Sequence, residues 1–103
     1  MIELVNGIEP LIMAELERAN RKFPLFASDH EGYAVLLEEM DETADEFKIM
    51  NWDIRQIWDL IKHNSKNGEN LLRKLEEHAT LCAAESIQVA AMVRKFRKSR
   101  EER

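Results

Sequence analysis

A chain of 103 residues makes one domain, large enough to bury roughly 65% of its unfolded surface in a modest core. Its formal net charge of −5 argues against nucleic acid as the main partner, because a phosphate backbone calls for a basic face. The single cysteine, Cys82, excludes an internal disulfide and any cysteine-rich zinc site. With neither a signal peptide nor a membrane-length apolar run in view, the expected location is the cytoplasm, with no membrane partner.

Three glycines and two prolines among abundant Leu, Glu, Lys, Ala and Met predict an all-α chain with short connections. The first segment, Met1 to Phe23, reads as a helix whose regular part starts near Pro10, since proline suits a first helical turn. The spacing leaves open whether residues 1–9 form an earlier turn kinked at Pro10. Ile12, Leu16, Ala19 and Phe23 repeat along one face, and Pro24 disfavours helical geometry at Phe23. The short link Pro24–Ala27 folds the next helix back on the first.

The second helix starts at Ser28, where Glu31 three residues on suggests a capping box. It carries Glu38, Glu39, Asp41, Glu42, Asp45 and Glu46 with no basic residue among them. At about 100° per residue, five of these acids share roughly a third of the circumference, and like charges four apart repel. Leu36, Leu37, Met40, Ala44 and Phe47 form the apolar arc assigned to the core. Ile54, Ile57, Trp58 and Ile61 continue the pattern, with Asn51 either a break between two helices or a surface position. The helical stretch fails at HNSKNGEN, His63 to Asn70, a polar loop.

The last helix runs from about Glu69 to the Lys98 region, with Leu71, Leu75, His78, Cys82, Val89, Val93 and Phe96 as its stripe. The domain is thus expected over residues 1–98, with 99–103 a frayed charged tail. Glu85 falls on the edge of this stripe, next to Gln88. Acids are seldom buried without a partner, so Glu85 should be paired, protonated or bound to metal. Glu39 with Glu42, and Glu85 with Gln88, each at i,i+3, offer two pairs of hard oxygens suited to Mg²⁺ or Mn²⁺. A solvated acidic face is the alternative for EExxE. No Glu has a His three residues later, which sets aside the di-iron bundle pattern. His30 suits a helix start, and His78 a core edge.

EEMDE (Glu38 to Glu42), followed by ESIQ (Glu85 to Gln88), resembles the MazG-type all-α nucleoside triphosphate pyrophosphatases, with their EExxE and ExxD helices. Two longer stretches, ERANRKFPLFASDHEGYAVLLEE and AAESIQVAAMVRKF, are similar to the short MazG-like proteins of phages and mobile elements. The resemblance spans about Glu15 to Phe96 and is weakest between Lys48 and Ala79. It implies a bundle of three to five helices, completed by self-association as a dimer or tetramer. It also implies Mg²⁺-dependent hydrolysis of a (d)NTP to the monophosphate and pyrophosphate. By position, Glu39, Glu42, Glu85 and Gln88 would be metal ligands, with Glu38 sharing the catalytic role of Glu39 and Glu42. Lys22, Arg94 and Lys95 are candidates for the phosphates, and Trp52 and Trp58 for stacking on a base. Two features depart from the pattern: neutral Gln88 stands at the aspartate position, and about forty residues separate the motifs, longer than usual. Two other readings stand beside the enzyme: a protein that binds nucleotides without hydrolysing them, and a helical module whose acidic face meets a basic partner.

Overall fold

The computed structural model describes residues Met1–Arg103. It has three helices and no strand: α1 (Ile2–Asn20), α2 (Asp29–Lys62) and α3 (Gly68–Glu101). None is long and apolar enough to cross a membrane. In α1, Pro10 lies inside one continuous helix, so residues 1–9 are not a separate turn. The helix stops at Asn20, three residues before the expected end, and Arg21 N–H closes back on Arg18 O. At Ser28 the extended backbone turns the chain into α2, and Ser28 Oγ accepts from Glu31 N at 3.1 Å. This is the N-cap expected there. Asn51 does not interrupt α2, which continues to Lys62; the turn beyond contains Asn64 in the left-handed region (φ 52°).

α2 and α3 form a long antiparallel hairpin, and α1 rests on α3. Around Phe26, Ala91 and Met92 pack Ile12, Leu16 and Ala19 of α1, Val35 and Leu36 of α2, and Phe96 of α3. Phe26, in the link between α1 and α2, therefore plugs the end of the hairpin. It meets Phe96 edge-on, with ring centroids 6.1 Å apart. Nearby, Gly32 allows α2 to approach α3 so closely that a Cβ there would lie 2.7 Å from the Phe96 ring.

The end of α3 is packed rather than frayed. Ser99 is fully buried, its hydroxyl donating to Lys95 O (2.8 Å) and accepting from Phe26 N (2.7 Å). Beyond it, Arg100 and Arg103 pair with Asp29 at the start of α2.

α2 carries two adjacent strips, one residue out of phase. Gly32, Leu36, Glu39, Thr43, Glu46, Met50, Asp53, Ile57 and Leu60, in steps of three and four, are buried or half-buried against α3. Tyr33, Leu37, Met40, Ala44, Phe47, Asn51, Ile54, Trp58 and Ile61 follow the same steps and are all exposed. Of the arc assigned to the core, Leu37, Met40, Ala44 and Phe47 thus face outward, and only Leu36 faces α3. Within the inner strip, buried Asp53 meets His78 of α3, Oδ2 to Nδ1 2.6 Å. The Cys82 thiol approaches the Thr43 carbonyl at 4.0 Å, half-buried at the same seam.

Candidate functional site

Part-way along the inner strip the hairpin gathers carboxylates. The α2 repeat that places Leu36 and Thr43 against α3 also places Glu39 there, and Glu42 follows one turn later. α3 answers with Glu85 and, one turn on, Gln88. Oxygens of Glu39, Glu42 and Glu85 all lie within 4.8 Å of one another. The two motifs that the sequence separates by some forty residues are therefore brought together, because α2 and α3 are antiparallel and joined by a short turn.

The electrostatics follow from this crowding. Loss of solvent raises the Glu39 pKa above the ordinary value, and the charges of Glu42, Glu85, Glu38 and Glu15 add to it. Loss of solvent likewise raises Glu85, helped by the Glu42 charge, a hydrogen bond with Glu42 and the Glu46 charge. Both directions are those of carboxylates withdrawn from water and held near like charges.

Gln88 sits among the acids. Its amide nitrogen donates to Glu85 Oε2 and Glu39 Oε2, both at 3.1 Å. Glu15 and Glu46 escaped the sequence reading of the site. Glu15 lies on the edge of the α1 stripe next to Leu16, the same signal that singled out Glu85. Glu46 belongs to the acidic run, one turn beyond Glu42, and one of its oxygens is buried without a hydrogen-bond partner.

The donor set fits a hard divalent cation. An octahedral Mg²⁺ with bonds of about 2.1 Å takes hard oxygen ligands of this kind and keeps several waters. Glu39, Glu42, Glu85 and the Gln88 carbonyl would supply the oxygens, and water the remainder.

The other candidates lie elsewhere. Lys22 is exposed in the turn after α1, its ammonium 5.9 Å from the Phe23 ring centroid. Arg94 is held by Glu9 through two hydrogen bonds of 2.6 and 2.5 Å. Lys95 is buried with its ammonium 4.7 Å from the Phe26 ring centroid. That burial pushes its pKa down, and Glu31 opposes the shift. None of these three cations is brought to the carboxylates. Trp52 and Trp58 are exposed, ten and sixteen residues along α2 from Glu42, about 15 and 24 Å at ~1.5 Å per residue. Trp52 is the nearer of the two along the helix.

No family model, curated protein or solved structure matches this chain. The resemblance to MazG-type pyrophosphatases rests on the motif stretches alone.

Proposed function

We propose that this chain is a divalent-cation-dependent nucleoside triphosphate pyrophosphohydrolase, converting a (d)NTP to the monophosphate and pyrophosphate. The observation that carries the reading is the convergence of Glu39, Glu42 and Glu85 from two helices. Bringing three carboxylates together opposes folding unless protons or a cation offset their charge. Mg²⁺, or Mn²⁺ in its place, when bound would neutralise phosphate oxygens and lower the pKa of a bound water. Glu39, Glu42 and Glu85 would hold it, with the Gln88 carbonyl as a neutral fourth ligand. Glu38 and Glu46 stand beside them as carboxylates able to take the proton of the attacking water. Of the two tryptophans, Trp52 is the nearer to the cluster along α2. The assay is pyrophosphate release from a nucleotide panel with Mg²⁺. Release by the wild type, lost in Glu39→Gln and Glu42→Gln, is expected; a metal-replete protein inactive on every nucleotide removes the reading.

Self-association belongs to the same proposal. Eight of 103 residues are buried, and the radius of gyration is 17.7 Å against about 13 Å for a compact chain of this length. The outer strip of α2 keeps steps of four and three over four heptads, the repeat of a coiled-coil seam. In that heptad Asn51 takes an a position, and Asp41 and Arg55 take e positions. An antiparallel pairing of two copies brings Asp41 of one to Arg55 of the other. A parallel pairing instead lays the acidic half of one α2 beside the acidic half of the next. A dimer or tetramer is expected in light scattering, and Phe47→Glu is expected to dissociate it. A 12.1 kDa monomer for the wild type overturns this part alone.

The exposed strip also favours a second reading, in which the chain serves as a helical interaction module. Saturable nucleotide binding by calorimetry with no product distinguishes sequestration from hydrolysis.

A further inference from the structure

A helix that packs against one neighbour needs one apolar strip, and α2 has two, about 100° apart. That angle is close to the right angle at which a corner helix of a four-helix bundle meets its two neighbours. The inner strip is taken by α3. The outer strip, from Tyr33 to Ile61, runs about 42 Å at ~1.5 Å per residue, and no other part of the chain covers it. Apolar side chains exposed singly are ordinary; an unbroken row of this length marks an interface.

The strip is complementary to itself. A two-fold axis makes residue i meet j and j meet i, so a seam between two copies must match when read in opposite directions. With an antiparallel axis placed between Asp45 and Glu46, Tyr33 meets the partner's Trp58 and Ala44 meets the partner's Phe47. The first pair sets aromatic on aromatic, and the second sets small against large. The e positions flank the strip on the side away from α3. They carry Asp41, Lys48 and Arg55, all exposed and none used in an ion pair within the chain. In this register Asp41 meets the partner's Lys48, the same pair forms again across the axis, and Arg55 meets the partner's Ala34. Sliding by one heptad brings Asp41 to the partner's Arg55, but it also sets Lys48 against the partner's Lys48 on the axis. The first register has no such clash.

We infer that two copies pair antiparallel through the outer strips of α2, in the register that joins Asp41 to the partner's Lys48. With α3 lying on the inner strip of each copy, α2 and α3 of both make an all-antiparallel four-helix bundle. The inference rests on the self-association reading above and adds the register and the charges that set it. A second copy is the occupant because the strip and its flanking charges answer themselves, which a foreign helix would not require. The carboxylate cluster faces α3, so the seam forms without a cation.

The test is sedimentation equilibrium of the full chain in EDTA at about 0.1 M salt, where surface charges still act across the seam. The wild type is expected as a dimer. Asp41→Lys and Lys48→Asp each turn two attractive pairs into two repulsive ones, and each should weaken the dimer about tenfold. Asp41→Lys combined with Lys48→Asp should restore it. These positions are exposed, so helix content by circular dichroism should match the wild type in all three variants.

If Arg55→Asp rather than Lys48→Asp rescues Asp41→Lys, the register is overturned in favour of its neighbour. A dimer that dissociates with Phe47→Glu yet ignores both charge reversals also overturns the register. A dimer unmoved by Phe47→Glu overturns the strip as the interface. A wild type that is monomeric throughout overturns this inference and the self-association reading together, and leaves the cation reading to its own assay.

Discussion

At the scale of single residues, the fold depends on a few close contacts at the hairpin's open end, where α2 starts and α3 finishes, and on charge held between the helices. Gly32 is the sharpest contact. Alanine there gains about 1 kcal/mol of helix propensity, but its methyl meets the Phe96 ring at 2.7 Å, and that ring is held edge-on by Phe26. Overpacking of this kind costs about 1–3 kcal/mol. Gly32→Ala is therefore expected to lower stability in a denaturant titration, and Gly32→Ala combined with Phe96→Leu to recover part of the loss. A Gly32→Ala protein more stable than the wild type contradicts the close approach of α2 to α3.

The carboxylates act through pH. Glu39 and Glu85 bind protons more tightly folded than unfolded, so their contribution to stability is present below the ordinary carboxylate value of 4.5 and is lost as pH rises through their raised values. Metal-free protein is expected to melt higher as pH falls from neutral toward about 5, before other carboxylates protonate. Glu85→Gln should flatten that rise. A melting temperature that falls steadily from neutral pH in the wild type runs against the direction of both shifts.

At the scale of elements, α2 is the informative one. Its cap at Ser28 and the failure of helix after Lys62 were legible because each rests on local chemistry, a side-chain acceptor and a polar run; its unbroken passage through Asn51 was left open, and Gly68–Asn70 of the expected loop belong to α3. Glu85 was legible for the same kind of reason, an acid on the edge of an apolar stripe. Which strip of α2 faces α3 was not legible. Two apolar strips one residue, and so about 100°, apart satisfy the same periodicity, and only the partner helix chooses between them. Phe26, Lys95 and Ser99 were hidden for a related reason. Their burial is made by contacts such as Phe26 N to Ser99 Oγ, across 73 residues, and nothing local to a charged last turn announces it.

The inner strip makes its own prediction. Asp53 is buried and bonded to His78, so Asp53→Ala leaves a polar partner at the seam without its acceptor and should cost about 1–3 kcal/mol. An equal loss is expected for His78→Ala. A double mutant whose loss equals the sum of the two single losses contradicts the coupling.

At the scale of the whole molecule, the hairpin is long and thin, 60 × 29 × 22 Å, and its carboxylate cluster lies between helices that bury little else. Such a chain has two surfaces to account for: the outer strip of α2, assigned to a second copy, and the cluster, assigned to a cation and a nucleotide. The second assignment is central. It is tested most directly by the melting temperature of metal-stripped protein, measured alone, with Mg²⁺, and with Mg²⁺ plus a non-hydrolysable nucleoside triphosphate. A ligand of the folded state raises stability by mass action. Mg²⁺ is expected to raise the melting temperature, the nucleotide to raise it further only when Mg²⁺ is present, and Glu42→Gln to abolish both rises. A melting temperature unmoved by either ligand contradicts the claim and leaves the acids as a solvated face.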